Sequence, residues 1–255
     1  MYFIKIKKSF LLKPDSKKNI LLLWYLFANE KRTGDIDFIL NDMIKYYGYF
    51  PSNKDNGISS IFKKSLKILF DEDIIYSERK IEDIKNDKIF PLKFSKTNNN
   101  EYSFLNIDSD YVILNDEEFE KIMKYNNETK KKKTNNQIRA EDKKPSSCNI
   151  DNVIYIYLIL KSFMNFAEQS YQFCFPSMNK LKTFSGLSIQ SIKKALEVLE
   201  KLKMIYIYPL GKYITTKEDL SKEQTIYCLN NYEKELNALK THFSSFKKDF
   251  KKWVK

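Results

Sequence analysis

The side chains best placed for recognition chemistry in this chain are Ser188, Gln190, Ser191, Lys193 and Lys194. An amide, two hydroxyls and two ammonium groups fall within two helical turns. They can offer hydrogen bonds to base edges and positive charge to phosphates. Such a set suits binding rather than catalysis.

The flanking sequence positions these groups. Ser177 reads as the N-cap of a short helix with Leu181 and Phe184 facing inward. Gly186 supplies a turn, and Ser188 caps the next helix by accepting a backbone N–H bond. From there Ile189, Ile192, Ala195, Leu196, Leu199 and Leu202 keep to one stripe of a 3.6-residue repeat. The opposite face carries Gln190, Lys194, Glu197 and Lys201, flanked by Ser191 and Lys193. Periodicity alone describes any amphipathic surface helix, so the distribution of polar groups carries the argument. Gln190, Ser191, Lys193 and Lys194 lie in the first two turns, the part of a recognition helix that reaches base edges. The acidic Glu197 and Glu200 come later.

Met204 to Tyr208 is β-branched and aromatic and reads as a strand. A polar stretch with Gly211, Lys212, Lys217 and Lys222 follows, then a second strand from Thr225 to Leu229. Helix, turn, helix and hairpin together resemble the winged-helix family over residues 153–229, with Val153 to Met164 as the first helix. Phe175-Pro176-Ser177 followed by Gly186-Leu187-Ser188 looks like the winged-helix domains of plasmid and phage replication initiators and DnaD-type primosome proteins. It is also similar to winged-helix transcription regulators. The resemblance implies that the second helix enters the major groove of double-stranded DNA. It also implies a wing along the backbone or minor groove, with Lys212 and Lys217 as wing contacts.

Charge separates the two halves of the chain. Residues 1–123 hold twenty basic and twenty acidic side chains, so the whole net charge of +12 lies in residues 124–255. Only that half has the electrostatic footprint of a polyanion binder. A/T-rich codons would raise the lysine count without any need for DNA, but they act on both halves alike. Arg32, Arg79 and Arg139 are the only arginines. Arginine is the usual bidentate reader of guanine, whereas lysine supplies a point charge. The expected site is therefore A/T-rich.

Residues 124–150 contain Lys130 to Lys133, Asn135-Asn136 and Lys143-Lys144-Pro145. Between Glu128 and Cys148 the only aliphatic side chain larger than alanine is Ile138. Such a stretch cannot bury enough apolar surface to offset its ordering entropy, and it reads as a basic flexible linker. Its lysines would add nonspecific, salt-sensitive DNA affinity.

The first domain, residues 1–123, reads as a second, divergent winged helix. Ile20 to Phe27 is apolar on nearly every side of a helix, and Asp35 is expected to cap a helix reaching Tyr47. A third helix spans about 58–70, with Ile61, Phe62, Leu66 and Leu69 inward. Lys63, Lys64 and Lys67 point outward from it, as a second DNA face or a face for a replication-protein partner. Ile74 to Tyr76 opens a hairpin that Glu101 to Leu105 returns, and Tyr111 to Leu114 is a further strand. Asn115-Asp116-Glu117-Glu118 makes a capping box into the last helix. The two halves thus share a coarse architectural repeat without a sequence repeat.

At the C-terminus, Tyr232, Leu236, Leu239, Phe243, Phe246, Phe250 and Trp253 form a heptad seam over residues 231–255. Packing across the second domain, homodimerisation, or lying on an anionic membrane would each use such an amphipathic helix.

Enzyme chemistry finds little footing. His242 is the single histidine, and glycines 34, 48, 57, 186 and 211 form no phosphate loop. Cys148, Cys174 and Cys228 lack zinc-ligand spacing and point to a reducing cytoplasm. No apolar run is long enough to span a bilayer. The expectation is a mainly α protein with small β hairpins (α+β). It comprises two winged-helix domains joined by a basic linker, the second at 151–230, and a C-terminal amphipathic helix. It is cytoplasmic, binds DNA, and needs no cofactor or metal.

Overall fold

The computed structural model describes residues 3–11, 16–52, 54, 57–96, 110–134, 149–164, 173–214, 221–229 and 252–254. These fall into two compact units, residues 1–154 and 155–255.

Unit 1 opens with β1 (Phe3–Lys7) and the single turn α1 (Lys8–Leu11), followed by α2 (Ser16–Ala28). Ile20 to Trp24 and Leu26 of α2 are buried, as a helix apolar all round requires. Next come β2 (Asp35–Phe38), α3 (Leu40–Tyr46) and α4 (Ile58–Asp71). β3 (Ile75–Tyr76), a short 3₁₀ turn, and β4 (Phe90–Phe94) complete a three-stranded antiparallel sheet in the order β2-β4-β3. β5 (Tyr111–Asn115) pairs with β1 and leads into α5 (Asp116–Thr134). Trp24 and Phe119 stack at 4.4 Å between ring centroids, joining α2 to α5.

Four expectations change here. Asp35 does not cap a helix: Asp35–Phe38 is the strand β2, paired with Phe90–Lys93. Its polar-apolar alternation buries Ile36 and Phe38, and helix α3 starts only after Ile39. The return strand for Ile75–Tyr76 is Phe90–Phe94, and Glu101 to Leu105 lies outside the described residues. The linker does not start at Lys124, because α5 continues through Thr134. Lysine is a good helix former, and the acidic first turn of α5, Asp116 to Glu118, complements the helix dipole. Ile150 is already helical. The expected capping box does form: Asn115 Oδ1 accepts from the Glu118 amide (2.8 Å), and Glu118 Oε2 accepts from the Asn115 amide (3.1 Å).

α6 (Ile150–Phe163) begins in unit 1 and continues into unit 2. β6 (Phe173–Cys174), α7 (Met178–Ser185), α8 (Ile189–Lys201), β7 (Tyr206–Ile214) and β8 (Ser221–Cys228) follow. Their sheet runs β6-β8-β7-β9 with antiparallel pairs, where β9 is Lys252–Val254. The fourth correction concerns β9. Lys252–Val254, expected at the end of a helix, is a strand hydrogen-bonded to Lys212–Ile214, which gives the edge of β7 a partner. The rest of the heptad seam lies outside the described residues.

Each unit contains helix, strand, two helices and a two-stranded hairpin in that order. The sheet orders β2-β4-β3 and β6-β8-β7 correspond strand for strand. The ends of α4 and α8 also match. Asp73 and Lys203 both adopt the left-handed conformation (φ 52° and 53°). The amides that follow, Ile74 and Met204, donate back to Leu69 and Leu199 (2.9 and 3.0 Å). That six-to-one bond satisfies a helix-end carbonyl and aims the chain into the next strand.

Candidate nucleic-acid interface

The turn between α7 and α8 is built from residues that could do little else. Ser177 Oγ caps α7 by accepting from the Lys180 amide (3.2 Å). Gly186 ends it at φ 63°, with its amide donating to the Lys182 carbonyl (2.9 Å). No atom lies within 4 Å of a Cβ built there, so backbone conformation alone demands the glycine. Ser185 Oγ accepts from the Leu187 amide, and Ser188 Oγ caps α8 by accepting from the Ser191 amide (3.1 Å).

Beneath the turn, Leu181 and Ser185 are buried, and Phe184 packs edge-on against Phe163 of α6 at 5.3 Å. Lys180 Nζ lies over the Phe163 ring at 4.7 Å. On α8, Ile192, Ala195, Leu196, Val198 and Leu199 are buried. The helix is thus fixed along its inner stripe and leaves its other side to solvent.

The residues expected to read DNA are presented unevenly. Gln190 and Lys193 are exposed, while Ser191 and Lys194 are partly exposed on the same two turns. Ser188 is exposed, but its hydroxyl is engaged by the Ser191 amide and lies 2.9 Å from the Ser191 hydroxyl. Its hydroxyl thus holds the head of α8. Lys212 lies in β7, opposite Glu223 of β8, and Lys217 lies outside the described residues. In unit 1, Lys64 and Lys67 are exposed on α4, whereas Lys63 is partly buried and donates to the Ile84 carbonyl (3.0 Å).

Two further lysines beside α4, Lys54 and Lys85, carry no signal in the sequence. Both are exposed and line a cleft at its first turn. Neither sits on an amphipathic helix, and only the folded arrangement of two loops brings them together.

Cys174 and Cys228 are buried in neighbouring strands. Burial pushes both thiols up, Cys228 to about 12, so thiolate is scarce at neutral pH. Among the described residues, no group of His, Cys, Asp and Glu could hold a metal ion. No helix among them is long and apolar enough to cross a membrane.

No curated protein resembles the chain closely enough to count as a relative. Residues 155–205, from within α6 through α7 and α8 to the start of the hairpin, match the family model of a helix-turn-helix domain, a DNA-binding kind of unit.

Proposed function

We propose that the chain binds double-stranded DNA sequence-specifically, with α8 as the recognition helix in the major groove. The observation that carries this reading is the head of α8. It is capped, anchored by five buried side chains, and offers Gln190, Lys193 and Lys194 to solvent within its first two turns. Gln190 reads adenine N6 and N7, the lysines meet phosphates or guanine acceptors, and the scarcity of arginine favours an A/T-rich site. The β7–β8 hairpin, with Lys212 and Lys217, is the wing lying along the backbone. Unit 1 is a second winged helix, by its matching element order and sheet order. The role that fits best is replication initiation on a plasmid or phage in a bacterial cytoplasm, with residues 1–123 available to a replication partner.

Selection of bound duplexes from a random library at about 0.15 M salt, using the full chain, tests this. A single enriched A/T-rich motif is expected. Repeats of that motif at an origin support initiation, and a lone copy at a promoter replaces initiation with transcriptional regulation. Gln190→Ala and Lys194→Ala should each reduce discrimination by about 1–3 kcal/mol per lost base contact. Enrichment of no sequence, or unchanged discrimination in both variants, overturns the assignment of α8.

A further inference from the structure

Unit 1 repeats the second helix of unit 2 in register, yet the heads of the two helices differ. Phe62, Ser65, Leu66 and Leu69 are buried on α4 at the spacing of Ile192, Ala195, Leu196 and Leu199 on α8. In that register Lys63 and Lys64 stand where α8 has Lys193 and Lys194, and Lys67 stands where α8 has Glu197. The α4 face is the more basic of the two, although residues 1–123 have no net charge.

α8 follows the tight turn Gly186–Ser188 and leaves Ser188, Ile189 and Gln190 exposed. Before α4 the connection is longer, and Ser52 and Lys54 lie against its first turn. The Ser52 amide donates to Ser59 Oγ (3.2 Å). The carbonyls of Ser52 and Lys54 would lie 2.7 and 2.9 Å from any Cβ at Gly57. Ser59 is buried as a result. A helix head covered in this way cannot reach base edges as α8 can.

A cleft of about 700 Å³ opens beside it, lined among others by Lys54, Lys63, Lys85, Ser60, Asn41 and Asp87. Among the described lining residues, three lysines stand against one carboxylate. Lys63 is held by the Ile84 carbonyl, while Lys54 and Lys85 are exposed and form no ion pair among the described residues. Asn41 Oδ1 is buried without a hydrogen-bond partner among them, and a 180° turn of that amide presents a donor instead.

We propose that this cleft holds phosphate groups of a nucleic-acid backbone, so that unit 1 grips DNA without reading it. Flexible ammonium groups suit phosphate as point charges and give little base discrimination. The volume is that of a nucleotide-sized site. The proposal rests on the DNA-binding reading of α8 only in preferring the polymer to a free nucleotide, which carries the same chemistry.

The test compares full-length Lys54→Glu/Lys85→Glu with wild type and with Gln190→Ala/Lys194→Ala, by DNA fluorescence anisotropy at several salt concentrations. Both lysines are exposed, so thermal melting followed by circular dichroism should match wild type. The cleft variant should show a log K against log salt slope shallower by about two, near one unit per lost phosphate contact. Its affinity should fall equally for all sequences. The α8 variant should lose discrimination and keep most of the slope. A wild type without sequence preference, whose slope still depends on Lys54 and Lys85, would remove the α8 reading and leave the cleft standing. An unchanged slope and affinity in the cleft variant overturns the proposal. So does tight binding of ATP or pyrophosphate that the cleft variant abolishes with its DNA slope intact, because the site then belongs to a free phosphate ligand.

Discussion

Asp73 and Lys203 show how single residues shape the ends of the two paired helices. Each holds a left-handed backbone that costs a residue with a Cβ about 1–2 kcal/mol, and each lets the next amide close the helix. Glycine removes that strain but brings extra chain entropy to be lost on folding. Lys203 is exposed, so Lys203→Gly should raise stability by about 0.5–1 kcal/mol, measured by urea unfolding. Asp73 differs because its carboxylate accepts from the Ser95 hydroxyl (3.1 Å). Asp73→Gly should therefore gain less or lose stability. Equal gains at both positions would show that the Ser95 bond contributes nothing. Neither residue announces this role in the sequence, where glycine or asparagine is the usual mark of a left-handed helix end.

Among the elements, legibility followed the length of the pattern. The stripe of α8 and the all-round apolarity of α2 were plain in the sequence, as were the serine caps of α7 and α8 and the Asn115–Glu118 box, because each spans several turns or pairs two fixed positions. β1, β2 and β4 also carry a pattern: Phe3-Ile4-Lys5-Ile6-Lys7, Asp35-Ile36-Asp37-Phe38 and Phe90-Pro91-Leu92-Lys93-Phe94 bury alternate residues. Four or five residues of alternation are too few to outweigh a cap-like Asp35 followed by Ile36, Ile39, Leu40 and Met43, so the sequence predicts helix where β2 stands. The cleft beside α4 is illegible for a different reason, since it depends on how Ser52 and Lys54 pack against Gly57 and Ser59. Gly57 enforces that packing sterically, with an ordinary φ of −75°, whereas Gly186 is needed for its φ of 63°. Gly57→Ala should cost about 1–3 kcal/mol through overpacking against the Ser52 and Lys54 carbonyls, read from urea midpoints. A neutral result would mean that the connection yields easily, and the covered head of α4 would lose its cause.

Across the whole molecule, charge is what most needs explaining. A composition rich in lysine, asparagine and isoleucine follows from A/T-rich coding, and it would raise lysine everywhere. It does not account for a neutral first 123 residues beside a remainder carrying all of the +12. A polyanion partner for the second half does. Each phosphate neutralised releases a condensed counterion, so log K should fall linearly with log salt by about 0.9 per contact. With Lys193, Lys194, the hairpin lysines and the cleft of unit 1 engaged together, six or more contacts are expected. Raising salt from about 50 to about 200 mM should then weaken binding about 10³-fold or more. Titration of one labelled duplex across that range measures it. A shallow slope, near one contact, would remove the polyanion account of the asymmetry and leave Gln190 and Lys194 as the main source of affinity. A steep slope combined with an enriched motif fits a protein that holds DNA through two units and reads it through one.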